Sequence, residues 1–153
     1  MMREILFRGK MDNGEWVYGS FCMDALEQFN GLCGVDGFIR LYDKTKGKMQ
    51  THEVDRETVG QYTGLKDKNG KRIFEGDILG SRYDDLHPVD VTIEVVKWFR
   101  NGWYIQQGEN LPDALAEDGV LPYSEVIGNI TDNPELLADA GMGKQNGIFW
   151  QTN

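Results

Sequence analysis

Residues 60–79, GQYTGLKDKNGKRIFEGDIL, constrain the fold more than any other part of the chain. Asn69-Gly70 lies between two extended stretches, and this pair predicts a type I′ hairpin turn with positive φ at both central residues. Gly76-Asp77 interrupts the apolar return, and Asp77 is expected to cap this second turn, because aspartate readily bonds backbone N–H groups close to it in sequence. The segment therefore predicts a small β protein held by tight turns.

Two further hairpins are predicted along the chain. Asp12-Asn13-Gly14 separates a short strand at 5–8 from one that begins at Trp16, and Asn101-Gly102 separates strands at 91–99 and 103–105. Other extended segments are expected at 38–42, 51–54, 58–63 and 123–130. Segments 23–29 and 111–119 fit either a helical turn or a loop. Because no long helical crossover connects the strands, a small antiparallel barrel or roll is favoured over a parallel α/β fold.

A short helix is predicted near the end of the chain. Asp132-Asn133-Pro134-Glu135 combines capping residues, a proline suited to the first helical position and an acid in the first turn. We expect one mainly β domain over 1–140, with the option of a β subdomain at 1–60 and a barrel at 61–131 followed by a helix at 133–140. Residues 141–153 are expected to form a flexible tail.

Composition limits the classes of function. The chain has 153 residues and a formal net charge of -9, and such an acidic protein repels a phosphate backbone. The sequence shows neither a signal peptide nor an apolar run of about 18 residues, so a cytoplasmic protein without membrane contact is expected. The two cysteines do not make a disulfide framework, and no metal or other cofactor is expected.

Basic residues cluster at one hairpin tip. Lysines also alternate at positions 44, 46 and 48, and such patterns are typical of solvated tips and edges. A nucleic-acid contact remains the alternative for the tip, through Lys66, Lys68, Lys71 and Arg72.

No catalytic signature is present. Residues 64–71 resemble a phosphate-binding loop only superficially, since the spacing is one residue too long and Arg72 replaces the Ser or Thr that would bind magnesium. Glu75 and Asp77 would share a face of an extended strand, and with His52 or His87 they define an alternative, a metal-assisted hydrolase. The capping role of Asp77 is the simpler interpretation.

Aromatic side chains on two of the hairpins are candidates for partner binding. On extended strands Trp16 and Tyr18 share a face, whereas Trp103 and Tyr104 point to opposite faces. One face of each hairpin is expected to pack in the core, and a ring on the other face is available to anchor an interface. The predicted partner-binding residues are Trp16, Tyr18, Trp98 and Trp103.

Four blocks of the sequence resemble the YopX family of phage and prophage proteins. They follow the family order over most of the chain: ILFRGK with DNGEWVYGSF, then VGQYTGLKDKNGKRIFEGDIL, then VVKWFRNGWYI, then EVIGNITDNPELL. The resemblance implies a mainly β fold with SH3-like barrel character, a phage or prophage origin and a cytoplasmic setting. It carries no catalytic residues.

These observations predict a non-enzymatic protein-interaction module. Its partner is expected to be an unidentified protein, with self-association as a further expectation. The two alternatives are the metal-assisted hydrolase and a small β-barrel associated with nucleic acid.

Overall fold

The computed structural model of the chain describes residues 2–23, 36–81, 92–107, 113–115 and 121–139. Within these ranges strands dominate and one short α-helix is present, which confirms the mainly β prediction. The SH3-like character remains a prediction. The chain divides into two compact units, an N-terminal unit of residues 1–64 and a C-terminal unit of residues 65–153.

The described residues form ten β-strands, one 3-10 turn and one α-helix. The first four strands are β1 Phe7–Lys10, β2 Trp16–Met23, β3 Asp36–Asp43 and β4 Lys48–Lys66. The other six are β5 Arg72–Phe74, β6 Asp77–Ser81, β7 Thr92–Phe99, β8 Gly102–Gln106, β9 Asp113–Ala114 and β10 Ser124–Asn129. Helix α1 spans Glu135–Asp139, and a 3-10 turn at Leu121–Tyr123 precedes β10. The segments predicted at 51–54 and 58–63 are parts of one long strand, β4.

The N-terminal unit is a closed ring of four antiparallel strands. β2 pairs with β1 and β3, β3 pairs with β4, and β1 also pairs with β4. Ile39 and Val54 are buried inside, and the rings of Phe7 and Phe21 lie 5.9 Å apart. Gly19 allows β2 and β3 to pack closely at this point. A Cβ at this position would lie only 2.2 Å from the backbone oxygen of Arg40.

The C-terminal unit contains a five-stranded antiparallel sheet in the order β10-β6-β7-β8-β9. Each face of this sheet has a buried part, since the adjacent residues Val95 and Val96 belong to two different hydrophobic clusters. The Val96 cluster also contains Leu79 and Ile105. The Val95 cluster is covered by Leu137 of α1, which begins one residue after Pro134, close to the predicted helix start.

Two turns differ in detail from the expectation. The hairpin at Asn69-Gly70 is present, but only Gly70 has positive φ, so the type I′ prediction is wrong. The N–H of Gly70 donates to the backbone oxygen of Asp67, which puts Lys68 and Asn69 at the centre of the turn. The side chain of Asp67 stabilises this longer loop, because its Oδ1 accepts the N–H groups of Asn69 and Lys71 at 2.9 Å each.

The β7–β8 hairpin also turns one residue earlier than its Asn-Gly pair implies. Phe99 pairs with Gly102, so Arg100 and Asn101 form the loop, with φ of 57° at Arg100. Of the segment 111–119, Asp113–Ala114 forms β9 and pairs with β8, which neither alternative for that segment anticipated. The interpretation of 23–29 beyond Met23 and the predicted tail at 141–153 lie outside the described residues.

Candidate partner-binding site

The β7–β8 hairpin carries the aromatic residues that were predicted to bind a partner in this unit. Trp98 and Trp103 are directly opposite each other on the two strands, and their ring centroids lie 4.9 Å apart at an interplanar angle of 76°. Trp103 packs against the buried Val96 cluster, whereas Trp98 is 49% exposed. Trp103 thus contacts, from the neighbouring strand, a tryptophan ring that is available at the surface.

The opposite face of the same hairpin holds a second aromatic pair with two cations. The rings of Phe99 and Tyr104 meet edge to face at 5.7 Å. The guanidinium carbon of Arg100 lies 5.2 Å from the Phe99 ring centroid, and Nζ of Lys97 lies 6.0 Å from it. Such distances are typical of cation–π contacts. Lys97 also donates to Oε1 of Gln106, and burial lowers the pKa of its ammonium group.

Lys97, Phe99 and Arg100 were not among the residues predicted from the sequence to bind a partner. One signal was available: residues 95–107 contain two cations and no carboxylate, in a chain with 25 acidic and 16 basic residues. We name Lys97, Trp98, Phe99, Arg100 and Tyr104 the hairpin patch.

At this patch, one edge of β7 has no partner among the strands that the structure describes. β6 pairs with β7 only as far as Val95, and the backbone oxygen of Val96 accepts the N–H of Gly76 at 2.8 Å. Because backbone groups alternate in direction along a strand, the N–H and C=O of Trp98 point to the same side as those of Val96. Among the described strands, none pairs with β7 at Trp98 on that side.

The other predicted partner-binding residues lie in the N-terminal unit. Trp16 and Tyr18 share a face of β2, and the guanidinium carbon of the buried Arg8 lies 4.8 Å from the Trp16 ring centroid. Tyr18 is 47% exposed. The four predicted residues therefore divide between the two units, and their role in binding remains a prediction.

The basic tip is exposed but partly neutralised. Lys66, Lys71 and Arg72 are exposed, whereas Nζ of Lys68 lies 3.4 Å from Oε2 of Glu125. The carboxylate of Glu125 reduces the positive potential that a phosphate backbone would experience here. Lys46, in the alternating lysine segment, similarly lies 3.6 Å from Asp43.

One carboxylate of the hydrolase alternative, that of Asp77, bonds the backbone of its own turn. Oδ2 of Asp77 accepts the N–H of Phe74 at 2.8 Å, which confirms the predicted cap. His52 contacts Gln50 in the N-terminal unit, and His87 lies outside the described residues. Across the part of the chain that the structure describes, no group of three or more His, Cys, Asp or Glu side chains is arranged to hold a metal ion.

A buried polar cluster lies on the Trp103 side of the C-terminal sheet. The hydroxyls of Ser81 and Ser124 are 2.6 Å apart, and Ser81 Oγ donates to Oε2 of Glu94 at 3.1 Å. Burial is the largest cause that raises the pKa of Glu94, the Ser81 hydrogen bond opposes it, and the charge of Asp113 adds to it. Both serines are fully buried, so this geometry suits proton binding better than attack on a substrate.

Comparison with known proteins supports a family assignment. The sequence model of the YopX protein family matches residues 6–138, which confirms the resemblance drawn from the four sequence blocks. The crystal structure of protein EF1440 from Enterococcus faecalis is similar to this chain, with a TM-score of 0.57 and 24% identity over 89% of this chain and 99% of that one. This likeness supports the fold alone. Among curated proteins, none matches.

Within the described ranges, no helix is both long and apolar enough to cross a lipid bilayer.

Proposed function

Because this chain belongs to the YopX family, we propose that it is a phage or prophage accessory protein that acts in the host cytoplasm as a non-enzymatic protein-interaction module. The hairpin patch is its docking site for a protein partner. Self-association is part of the proposal.

The observation that carries this proposal is the exposure of Trp98 beside Trp103, its partner on the neighbouring strand. A tryptophan that is 49% exposed leaves apolar surface in water, and burying that surface against a partner is favourable. Tryptophan, tyrosine and arginine are the residues most enriched at energetically dominant interface positions, and the hairpin patch contains all three types. Phe99 and Arg100 form a second surface on the opposite face of the hairpin, and the strand edge at Trp98 lies between the two.

The two alternatives gain no observation in their favour. Asp77 is committed to the backbone of its turn, and Glu125 lies against the basic tip. A hydrolase would additionally require convergent groups around a substrate, and the buried serines next to Glu94 are closed to solvent.

The test is affinity capture with the tagged full-length chain, from a bacterium whose prophage encodes a YopX-family protein. We expect one discrete partner with the wild type and loss of that partner with Trp98→Ala. Tyr123→Ala is the matched control, because Tyr123 is also 49% exposed and lies in the same unit.

Thermal unfolding of each variant separates lost binding from lost folding. Recovery of the same partner by Trp98→Ala and the wild type would reject the hairpin patch as the docking site. Turnover of a substrate by the purified chain would reject the non-enzymatic module. Light scattering of the wild type measures its self-association.

A further inference from the structure

We propose that the hairpin patch binds an extended segment of a protein partner in which apolar and acidic residues alternate. This inference rests on the proposed function and states the chemistry of the partner. It follows from three properties of the patch: its open strand edge, its local charge, and the different side chains on its two faces.

The strand edge at Trp98 favours an extended peptide. Trp98 presents one backbone N–H and one C=O on the side of β7 that β6 leaves unpaired. An added strand satisfies such groups through main-chain hydrogen bonds, and this is how peptides join exposed sheet edges. The edge consists of this one donor and one acceptor, and the backbone of an extended polypeptide matches them with a C=O and an N–H of a single residue.

The charge of the patch calls for acidic residues in that peptide. Lys97 and Arg100 lie on the same aromatic ring, 6.0 and 5.2 Å from the centroid of Phe99, and residues 95–107 contain no carboxylate. A carboxylate placed beside Phe99 is attracted by both cations. It also offsets the burial that lowers the pKa of Lys97.

The two faces of the hairpin determine the spacing. Trp98 lies on one face, whereas Lys97 and Phe99 lie on the other. A strand added beside β7 places its successive side chains on these faces in turn. The residue beside Trp98 is therefore apolar, and its neighbours on either side are acidic.

The experiment measures fluorescence anisotropy of labelled peptides added to the full-length chain. The probe is a peptide of alternating valine and glutamate, about ten residues long, the length of a long natural strand. A valine–lysine peptide of equal length tests charge, and a version with proline at a central valine tests the edge, because proline lacks the N–H donor. A single-stranded thymidine oligonucleotide tests phosphate binding.

We expect the valine–glutamate probe to bind about tenfold more tightly than the other three, a difference of about 1.4 kcal/mol. Arg100→Gln should weaken its binding by a similar factor. Lys71→Gln also removes one positive charge, but from the exposed basic tip, and it should leave binding unchanged.

Equal affinity for the valine–lysine or the proline peptide would overturn the inference, as would tighter binding of the oligonucleotide. An equal loss with Lys71→Gln would also overturn it, since the effect would then depend on net charge alone. Circular dichroism verifies that each variant is folded. If the peptides fail while capture of a partner still depends on Trp98, the proposed function stands and only the partner's chemistry is wrong.

Discussion

Ser81 and Glu94 are joined by a hydrogen bond of 3.1 Å on adjacent strands, and the hydroxyl of Ser124 lies 2.6 Å beyond Ser81. Each serine has one hydroxyl proton, so Ser124 donates to Ser81 when Ser81 donates to an ionised Glu94. When Glu94 is protonated, it can donate to Ser81, and the direction of both hydrogen bonds is then reversed. The geometry therefore accommodates both protonation states, while burial favours the neutral one.

This relationship predicts a stability that falls as the pH rises. The pKa of Glu94 is 4.5 in the unfolded chain and is raised above this value in the folded state. Between the unfolded and the folded pKa, the folded chain therefore binds more protons than the unfolded chain. The contribution of Glu94 is fully present below pH 4.5 and is lost as the pH rises through the folded pKa. Urea unfolding at a series of pH values measures it.

Glu94→Gln should remove this part of the pH dependence, because glutamine does not titrate. Glu57→Gln is the control, since it alters an exposed glutamate of the N-terminal unit. If Glu94→Gln and the wild type lose stability in parallel as the pH rises, the buried cluster does not act in this way.

Asp67 is predicted to be the most important polar residue of the β4–β5 tip. Its carboxylate accepts the N–H groups of Asn69 and Lys71 within the tip and the N–H of Val126 on β10. Asp67→Ala leaves these donors without their acceptor and should lower the free energy of unfolding by about 2–4 kcal/mol, the sum of two or three such losses. Chemical denaturation measures this change.

Lys68→Gln tests the neighbouring surface ion pair as a comparison. Nζ of Lys68 lies 3.4 Å from Glu125 at the surface, and exposed pairs of this kind contribute about 0–1 kcal/mol. A cost for Lys68→Gln as large as that for Asp67→Ala would contradict the argument from the backbone contacts.

Two glycines of the N-terminal unit should respond differently to alanine. At Gly19 the new Cβ would lie 2.2 Å from a backbone oxygen, so the strands must move apart, and we expect a loss of at least about 3 kcal/mol. At Gly14 nothing lies within 4 Å, but φ is 86°, and this strain costs about 1–2 kcal/mol. Thermal unfolding ranks the two variants, and the reverse order would refute the close-packing role of Gly19.

The tryptophan pair should separate binding from stability. Trp103→Ala removes a partly buried ring that packs on the buried cluster and should cost about 3 kcal/mol, the lower end of the cost for a core tryptophan. Trp98→Ala removes a half-exposed ring and should cost about 1 kcal/mol, mainly its edge-to-face contact with Trp103. The double variant then measures their coupling. A Trp98→Ala chain as unstable as Trp103→Ala would show that Trp98 belongs to the core.

Much of the local structure was predictable from the sequence. Gly14 and Gly70 mark real turns, and the acidic, proline-containing start of α1 lies close to its predicted position. The turn type at Asn69 was wrong because Asp67 competes for the backbone N–H groups of the loop. That competition depends on the side chain of a residue outside the Asn-Gly pair, which a dipeptide rule does not consider.

The candidate site was predictable only in part. Trp98 and Trp103 were both recognised as candidates. The difference in their exposure was not predicted, because both are tryptophans on the same hairpin. Trp103 is partly buried because it packs on the cluster that contains Leu115, and the pairing of β9 with β8 brings Leu115 to this position. β9 has two residues and no strong β pattern, so its pairing leaves little trace in the sequence.

The sequence by itself determined where the chain turns, which stretches are extended and to which family the chain belongs, because these properties depend on residues a few positions apart or on the order of whole blocks. The tertiary structure alone decided that β1 closes a ring with β4, that Glu94 is buried beside Ser81, and that one tryptophan of a pair remains exposed. Each of these depends on contacts between residues far apart in the chain. Such contacts form only when many weak interactions are satisfied together, and no short pattern of residues records them.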